Sequence, residues 1–514
     1  MKREFSLIKK YFLIIFVIIN YCNEIIAQRN SHIPPPYLWL KADSVNHEQN
    51  YWVDLSGHNH HVYFNSPIDS GKINYQPSLK LETTNPFTIP YRPKKKDVIC
   101  MFAVYKADSA QQSYSIWSVR LDSSKYIEMN SHYVRGLYGT NSYEGISNSP
   151  VENFFRHDWI NQKIDTLYAH LNICGGDSIK SFNGLIAEIL FYNRSLSLKE
   201  ITQVSTYLAI KYGISLSEIN YVRSDNIVLW DVKKNKEFNN EIAGIGKDIK
   251  LQINQKQSAG NGGESILKIT AGNHFYNLNR QNLYEVNDGD FLIWSDNGKN
   301  LYDFNNDTTV SDTSDIPYLN NLSERRWLIK RTGNTAYTIP TMIMLSAPEL
   351  AHDTTATINL VISPSANTLF PTDSCFIMAA DSLDSMGNFY FHYVHWDTDH
   401  SGMDAFTFQI NEVQQDQQSC LNRSLNTNNP ESEGVYTVNV FPNPSSGLVN
   451  VHINLTEPGN VSLTVQDESG RVVYNNQLFN EQDYFEKVKL NSKGVYFFNI
   501  ESKEMKKQIK IVVQ

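Results

Sequence analysis

The last 79 residues of the chain alternate apolar and polar side chains, and that period of two restricts them to β-sheet. Val438 and Val440, then Val449, Val451 and Ile453, would line one face of half-buried strands. Pro442-Asn443-Pro444, followed by Ser445-Ser446-Gly447, makes a rigid turn that cannot join a sheet interior. Asp467-Glu468-Ser469-Gly470 reads as a hairpin turn between two strands. The rest of the chain carries shorter strand-like runs with the same β-branched and aromatic bias, among them 98–105, 114–119, 182–194, 226–231, 241–248, 290–298 and 325–330. One segment departs from this rule. Ser197 and Glu200 have capping-box spacing, Ile201, Val204 and Leu208 recur at helical spacing, and Gly213 supplies the stop. The expected fold class is all-β and multidomain, with one helix whose apolar stripe is core.

Four features at the C-terminus occur in a fixed order. They are Phe441-Pro442-Asn443-Pro444, the Asp467-x-x-Gly470-Arg471 turn, Gly494-Val495-Tyr496, and a basic final strand with Lys506, Lys507 and Lys510. On these residues, 435–514 resemble the type A C-terminal sorting domain of the type IX secretion system. The resemblance implies a small Ig-like sandwich and two partners, an outer-membrane translocon that recognises it and a sortase-like protease that removes it.

The N-terminus agrees with export. Lys2, Arg3, Lys9 and Lys10 precede an apolar run at 11–19 that is too short to span a bilayer. Ala27-Gln28 then offers a cleavage point after a small residue, so 1–27 are expected to be a signal peptide. Asn20-Tyr21 before Cys22 is too bulky for lipoprotein processing, and no later stretch is apolar enough to cross a membrane. The expected location is the cell surface or the exterior. Net charge is −9 and no basic stripe exists to neutralise phosphates, which argues against a nucleic-acid partner. Cys100, Cys174, Cys375 and Cys420 remain after the signal, in a compartment that permits disulfides. Cys100 and Cys174 are the one pair within a single expected domain and hence the candidate bridge.

Residues 34–216 open with Tyr37-Leu38-Trp39-Leu40 and close with Gly184-Leu185-Ile186-Ala187-Glu188, then Tyr192-Asn193-Arg194 and the helix. This resembles the laminin-G, concanavalin-like jelly roll, in which a first strand pairs with a returning strand from the far end of the domain. Residues 220–412 are expected to be a further β-sandwich region, similar to an uncharacterised module that follows such domains. A polar break at 303–316 offers a place to divide it into two sandwiches. Residues 413–434 lack core residues and are expected to be a linker open to a trimming protease.

Chemistry is harder to find. Jelly-roll glycosidases place two carboxylates at alternate positions on one strand, whereas Glu188 has Ile186 and Leu190 two residues away. The chain has no HExxH, no GxSxG and no Gly-rich phosphate loop, so no catalytic residue is assigned. His58, His60 and His61 are weighed as metal ligands, against a loop that merely carries histidines. Asp296, Asp303, Asp307, Asp312 and Asp315 make calcium the one candidate cofactor, without EF-hand spacing. Trp39, Trp52, Trp117 and Trp159 are candidates for stacking on sugar rings, against the commoner role of Trp in a sandwich core. Asp followed by Ser or Thr and a small or aliphatic residue resembles the O-glycosylation pattern of bacteria that use this export route. It occurs at Ser44, Ser109, Thr166, Ser178, Thr308, Thr354, Ser382 and Ser385. Two function classes remain. One is a non-catalytic adhesin or a binder of carbohydrate or of host or matrix protein; the other is a polysaccharide or protein hydrolase with an unrecognised site. The missing carboxylate pair favours the first.

Overall fold

The computed structural model describes residues 33–412 and 437–513, except 66–67, 83–85, 92–97, 109–113, 121–125, 132, 137–138, 143–150, 159–169, 176–181, 306–318, 353–355, 373, 442–446, 491 and 504–505. The signal peptide expected at 1–27, with Ala27 and Gln28, and the linker at 413–434 lie outside these residues. The chain divides into two units, 1–414 and 415–514.

In the first unit, residues 33–192 form two antiparallel sheets. The larger has the order Val151–Asp158, Val98–Ala107, Asn183–Tyr192, Leu38–Asn46, Tyr51–Asp54, Val62–Tyr63, with Gln76–Glu82 and Asp69–Ile73 branching from Asn183–Tyr192. The smaller runs Gly139–Ser142, Tyr133–Gly136, Tyr126–Asn130, Ser115–Arg120, His170–Ile173, Phe87–Pro90. Their facing sides enclose a core that includes Leu40, Met101, Trp117, Ile127, Leu171 and Phe191. The pairing expected between the two ends of this region is present, with Leu38 opposite Phe191, Trp39 opposite Leu190 and Leu40 opposite Ile189.

Residues 221–412 form a second sandwich. Its nine-stranded sheet contains Asn240–Asp248, Phe291–Asp296, Trp327–Thr332, Met403–Glu412 and Ala356–Ser363, and its five-stranded sheet contains Leu267–Ala271, Thr341–Ser346 and Asn388–Val394. Strands on both sides of the 303–316 break enter the same sheets, since Phe291–Asp296 pairs with Trp327–Thr332. The break therefore does not divide the region into two sandwiches.

The helix Leu198–Tyr212 joins the sandwiches. Ser197 accepts from the Glu200 amide while the Glu200 carboxylate accepts from the Ser197 amide, the reciprocal box foreseen from sequence. Gly213 ends the helix in the left-handed region (φ 63°), where a Cβ would meet the Ala259 carbonyl at 2.2 Å. Val204, Tyr207 and Leu208 pack in one continuous core with Cys100, Phe102 and Val104 of the first sandwich and Leu229, Trp230, Ile242 and Phe291 of the second. The hydrophobic core thus runs across the sequence interval 216–220. Asn74, at the tip of the hairpin between Asp69–Ile73 and Gln76–Glu82, reinforces the joint. Its side-chain amide donates to Ser258 Oγ (2.9 Å) and to the Lys211 carbonyl (3.2 Å), and its carbonyl oxygen accepts from the Ala259 amide (2.9 Å).

The second unit is a five-stranded antiparallel sheet built from Thr437–Phe441, Leu448–Asp467, Val472–Lys489, Gly494–Ser502 and Lys506–Val513. The two long strands pair along their length, with register shifts between Asn454 and Val461. Val449, Val451, Ile453, Val461, Leu463 and Val465 fill the core, as their alternation requires.

Candidate functional site: the sorting tail and a polar sheet face

The tail's turn between its long strands is closed by one carboxylate. Asp467 Oδ1 accepts from the amides of Ser469 and Arg471 (3.0 Å each) and from the Ser469 hydroxyl (2.6 Å), while Oδ2 accepts from Arg471 Nε (3.0 Å). These bonds, the Ser469 hydroxyl's foremost, hold the Asp467 carboxyl below its usual range. Gly470 takes φ 81°, which is why glycine stands there. Tyr496 pairs with Asp467 on one side and Ile511 on the other, and its hydroxyl donates to the Ser492 carbonyl (2.8 Å). Gly494 and Val495 precede it on the same strand, opposite Val513 and Val512. Lys506 and Lys507 are exposed on the final strand, with Lys506 paired to Glu501 at 3.3 Å. Asp467, Gly470, Arg471, Gly494, Val495 and Tyr496 therefore gather around one sheet end. Pro442, Asn443 and Pro444 lie outside the described residues.

A second feature lies on the six-stranded sheet of residues 87–173. Ile89, Val119, Ile127, Met129, Leu171 and Ile173 point into the inter-sheet core, so Thr88, Ser118, Glu128 and Asn172 occupy the opposite face. The register aligns these four into a row across adjacent strands, Thr88 opposite Asn172, Asn172 opposite Ser118, and Ser118 opposite Glu128. Thr88 Oγ1 donates to Asn172 Oδ1 (2.9 Å), and Asn172 Nδ2 donates to Ser118 Oγ (3.1 Å). The row runs from exposed Thr88 to fully buried Glu128. Sequence reading missed it because alternation marks a polar face without telling which strands will lie side by side.

Glu188 proves structural. A bulge between Ile186 and Glu188 turns Ile186 into the inter-sheet core and Glu188 toward the helix, so the two do not share a face as an unbroken strand would dictate. The carboxylate is fully buried and accepts from Trp39 Nε1 (2.6 Å), the Tyr207 hydroxyl (2.9 Å), the Tyr212 hydroxyl (2.9 Å) and Lys211 Nζ (2.9 Å). Burial, then the Glu188 charge, pushes both tyrosines well above their usual range. Burial works to lower Lys211, but Glu188 and Asp43 outweigh it and keep the ammonium charged.

The other candidate residues take the following places. Trp39, Trp52 and Trp117 are buried and cannot stack on a ligand, while Trp159 lies outside the described residues. Cys100 and Cys174 form no bridge. Cys100 faces the helix side of its sheet, whereas Cys174 lies in the inter-sheet core, where burial pushes its thiol well above the ordinary range. His61 Nδ1 accepts from the Asp54 amide (3.0 Å), and the rings of His58 and His60 pack on Tyr37. Asp296 is buried against Arg325 (2.9 Å), and Asp303 is exposed; Asp307, Asp312 and Asp315 lie outside the described residues. The Ser44 hydroxyl donates to the Lys41 carbonyl (2.8 Å), Ser382 and Ser385 are exposed, and Ser109, Thr166, Ser178, Thr308 and Thr354 lie outside the described residues. One carboxylate cluster was not foreseen. Asp404 is buried beside Asp397 and Asp399, and burial together with their charges raises its carboxyl to about 7.

Among the described residues, no helix is long and apolar enough to cross a membrane. Residues 200–387 match a domain of unknown function (DUF8202), a match that begins inside the joining helix. No curated protein sequence matches the chain. Among solved structures, domain 4 of AbnA, a GH43 extracellular arabinanase from Geobacillus stearothermophilus in complex with arabinotriose, is similar over 32% of this chain and 96% of its own, with 9% identity and a TM-score of 0.24. A Trypanosoma rangeli sialidase is similar over 33% of this chain, with 11% identity and a TM-score of 0.25; the chain spans 32% of the sialidase's length. Residues 439–514 match the secretion system C-terminal sorting domain, the segment whose turn and final strands are described above. That tail makes the protein cargo of the type IX secretion system, secreted to the cell surface or the exterior.

Proposed function

We propose that the exported protein is a non-catalytic binder of carbohydrate at the cell surface, presented on a laminin-G-like first sandwich. The observation that carries this reading is the row Thr88, Asn172, Ser118 and Glu128 across the face of the six-stranded sheet that points away from the core. Thr88 alone of the four is exposed, so its hydroxyl is the group a polyhydroxylated chain would meet, while buried Asn172, Ser118 and Glu128 hold it in orientation from behind. Supporting it, Glu188, the acidic residue of the returning strand, is committed to the Lys211, Trp39, Tyr207 and Tyr212 network rather than to chemistry. The signal peptide, the translocon and a sortase-like protease acting within 413–434 complete the delivery of this binder.

The test is a glycan array probed with the full chain, beside an assay for released reducing sugar. Binding without release, weakened several-fold by Thr88→Ala at the exposed end of the row, is the expected result. Failure to bind any glycan would remove the reading. Sugar release abolished by Glu128→Gln would replace it with a hydrolase.

A further inference from the structure

Residues 397–404, a loop after Asn388–Val394 and the start of the strand Met403–Glu412, carry three carboxylates in eight residues. Their backbone is tightly wound, with Asp397, His400 and Gly402 at φ 55°, 62° and 94°. The His400 amide donates to the Asp397 carbonyl (3.1 Å), and the Arg331 amide donates to the Gly402 carbonyl (3.0 Å), tying the loop to the neighbouring strand. As a result Asp397, Asp399 and Asp404 each present a carboxylate oxygen within 4.8 Å of the other two.

Three like charges this close repel one another, so what neutralises them has to be accounted for. Arg331 Nε donates to Asp397 Oδ2, and Asp397 Oδ1 accepts from the Gly402 amide and from Ser401 Oγ (3.3 Å). Asp399 is exposed and accepts from the Ser401 amide (3.0 Å). Asp404 Oδ2 accepts from the Asp397 amide (2.5 Å). Asp404 Oδ1 has no hydrogen-bond partner, although the residue is only 3% exposed. Buried carboxylate oxygens are almost always satisfied, and an orphan in a cluster of acids marks where a cation belongs.

We propose that Asp397, Asp399 and Asp404 form a divalent cation site. The ligands are all hard oxygens on an irregular loop, which suits calcium, whereas magnesium demands near-ideal octahedral geometry. The ion fastens the turn to the sheet at Arg331 and satisfies the orphaned oxygen.

The experiment uses the full chain, stripped with EDTA and titrated with calcium by calorimetry. Terbium luminescence excited through Trp396, the residue next to Asp397, gives a second readout. One calcium per chain is expected, with a dissociation constant of roughly 10⁻⁴–10⁻³ M, the range of extracellular modules. Asp399→Asn, whose side chain is exposed, should bind at least about tenfold more weakly while melting at the wild-type temperature without metal. Asp404→Asn should also lose binding. Absence of heat and luminescence in the wild type would overturn the site, as would undiminished binding in both variants.

Discussion

The sorting tail and the helix-centred joint of residues 33–412 hold their strands in place by opposite means. Among its described residues the tail buries an apolar stripe, and Arg471 and Lys506 pair at exposed positions with Asp467 and Glu501. Such pairs contribute little to stability. The joint buries a carboxylate and an ammonium, Glu188 and Lys211, inside a ring of aromatic donors. A stripe of valines tolerates exchange of any one member for another of similar volume. A buried ion pair does not, because removing one partner strands the other in a low dielectric. The tail is thus free to serve as a recognition surface, and the joint is not.

The contrast can be broken first at the level of export. Deleting residues 436–514 should leave the protein in the periplasm, an all-or-none loss read by cell fractionation; normal surface delivery would show that the tail is dispensable. Next in size, Glu188→Ala should lower the stability of the full chain by about 3–5 kcal/mol in chemical denaturation, since Lys211 is left with only the more distant Asp43 (4.0 Å) and three aromatic donors lose their acceptor. A loss like that of a surface substitution would mean the joint is no tighter than the tail. The smallest effect concerns Asp384. Hydrogen bonds from Asn388, foremost its side chain, and from Tyr390 depress its carboxyl to about 2 from an unfolded value of 3.8. A depressed acid stabilises above its unfolded value and loses that contribution as pH falls through its folded one. The slight advantage of wild type over Asp384→Asn should therefore be present above about pH 4 and vanish near 2. Equal melting temperatures at pH 6 would remove this carboxylate from the account.

The same contrast explains what could be read from sequence. In the tail, alternation fixes which residues are inside, and Asp467 and Gly470 announce the turn, so strands and site residues follow from local chemistry. The helix was equally legible from Ser197, Glu200 and Gly213. In the joint, a one-residue bulge at Ala187 separates Ile186 from Glu188, and no local signal marks it. The polar row from Thr88 to Glu128 spans four strands, of which Phe87–Pro90 and His170–Ile173 are distant in sequence from their partners, and its alignment depends on register. The Cys100–Cys174 pairing failed for a related reason, because sharing a domain does not tell which side of a sheet each thiol faces.

Asn74 makes the two sandwiches difficult to trade. The domain match from residue 200 onward carries the helix with the second sandwich, yet the helix's last carbonyls and the Ser258 strand are met by a hairpin from the first. A replacement for the first sandwich would have to bring a flat apolar sheet for Val204 and Leu208 and a turn with an amide at the same height. The first and second sandwiches are therefore inseparable at the helix, and whatever replaced one of them would have to reproduce the partners of Asn74.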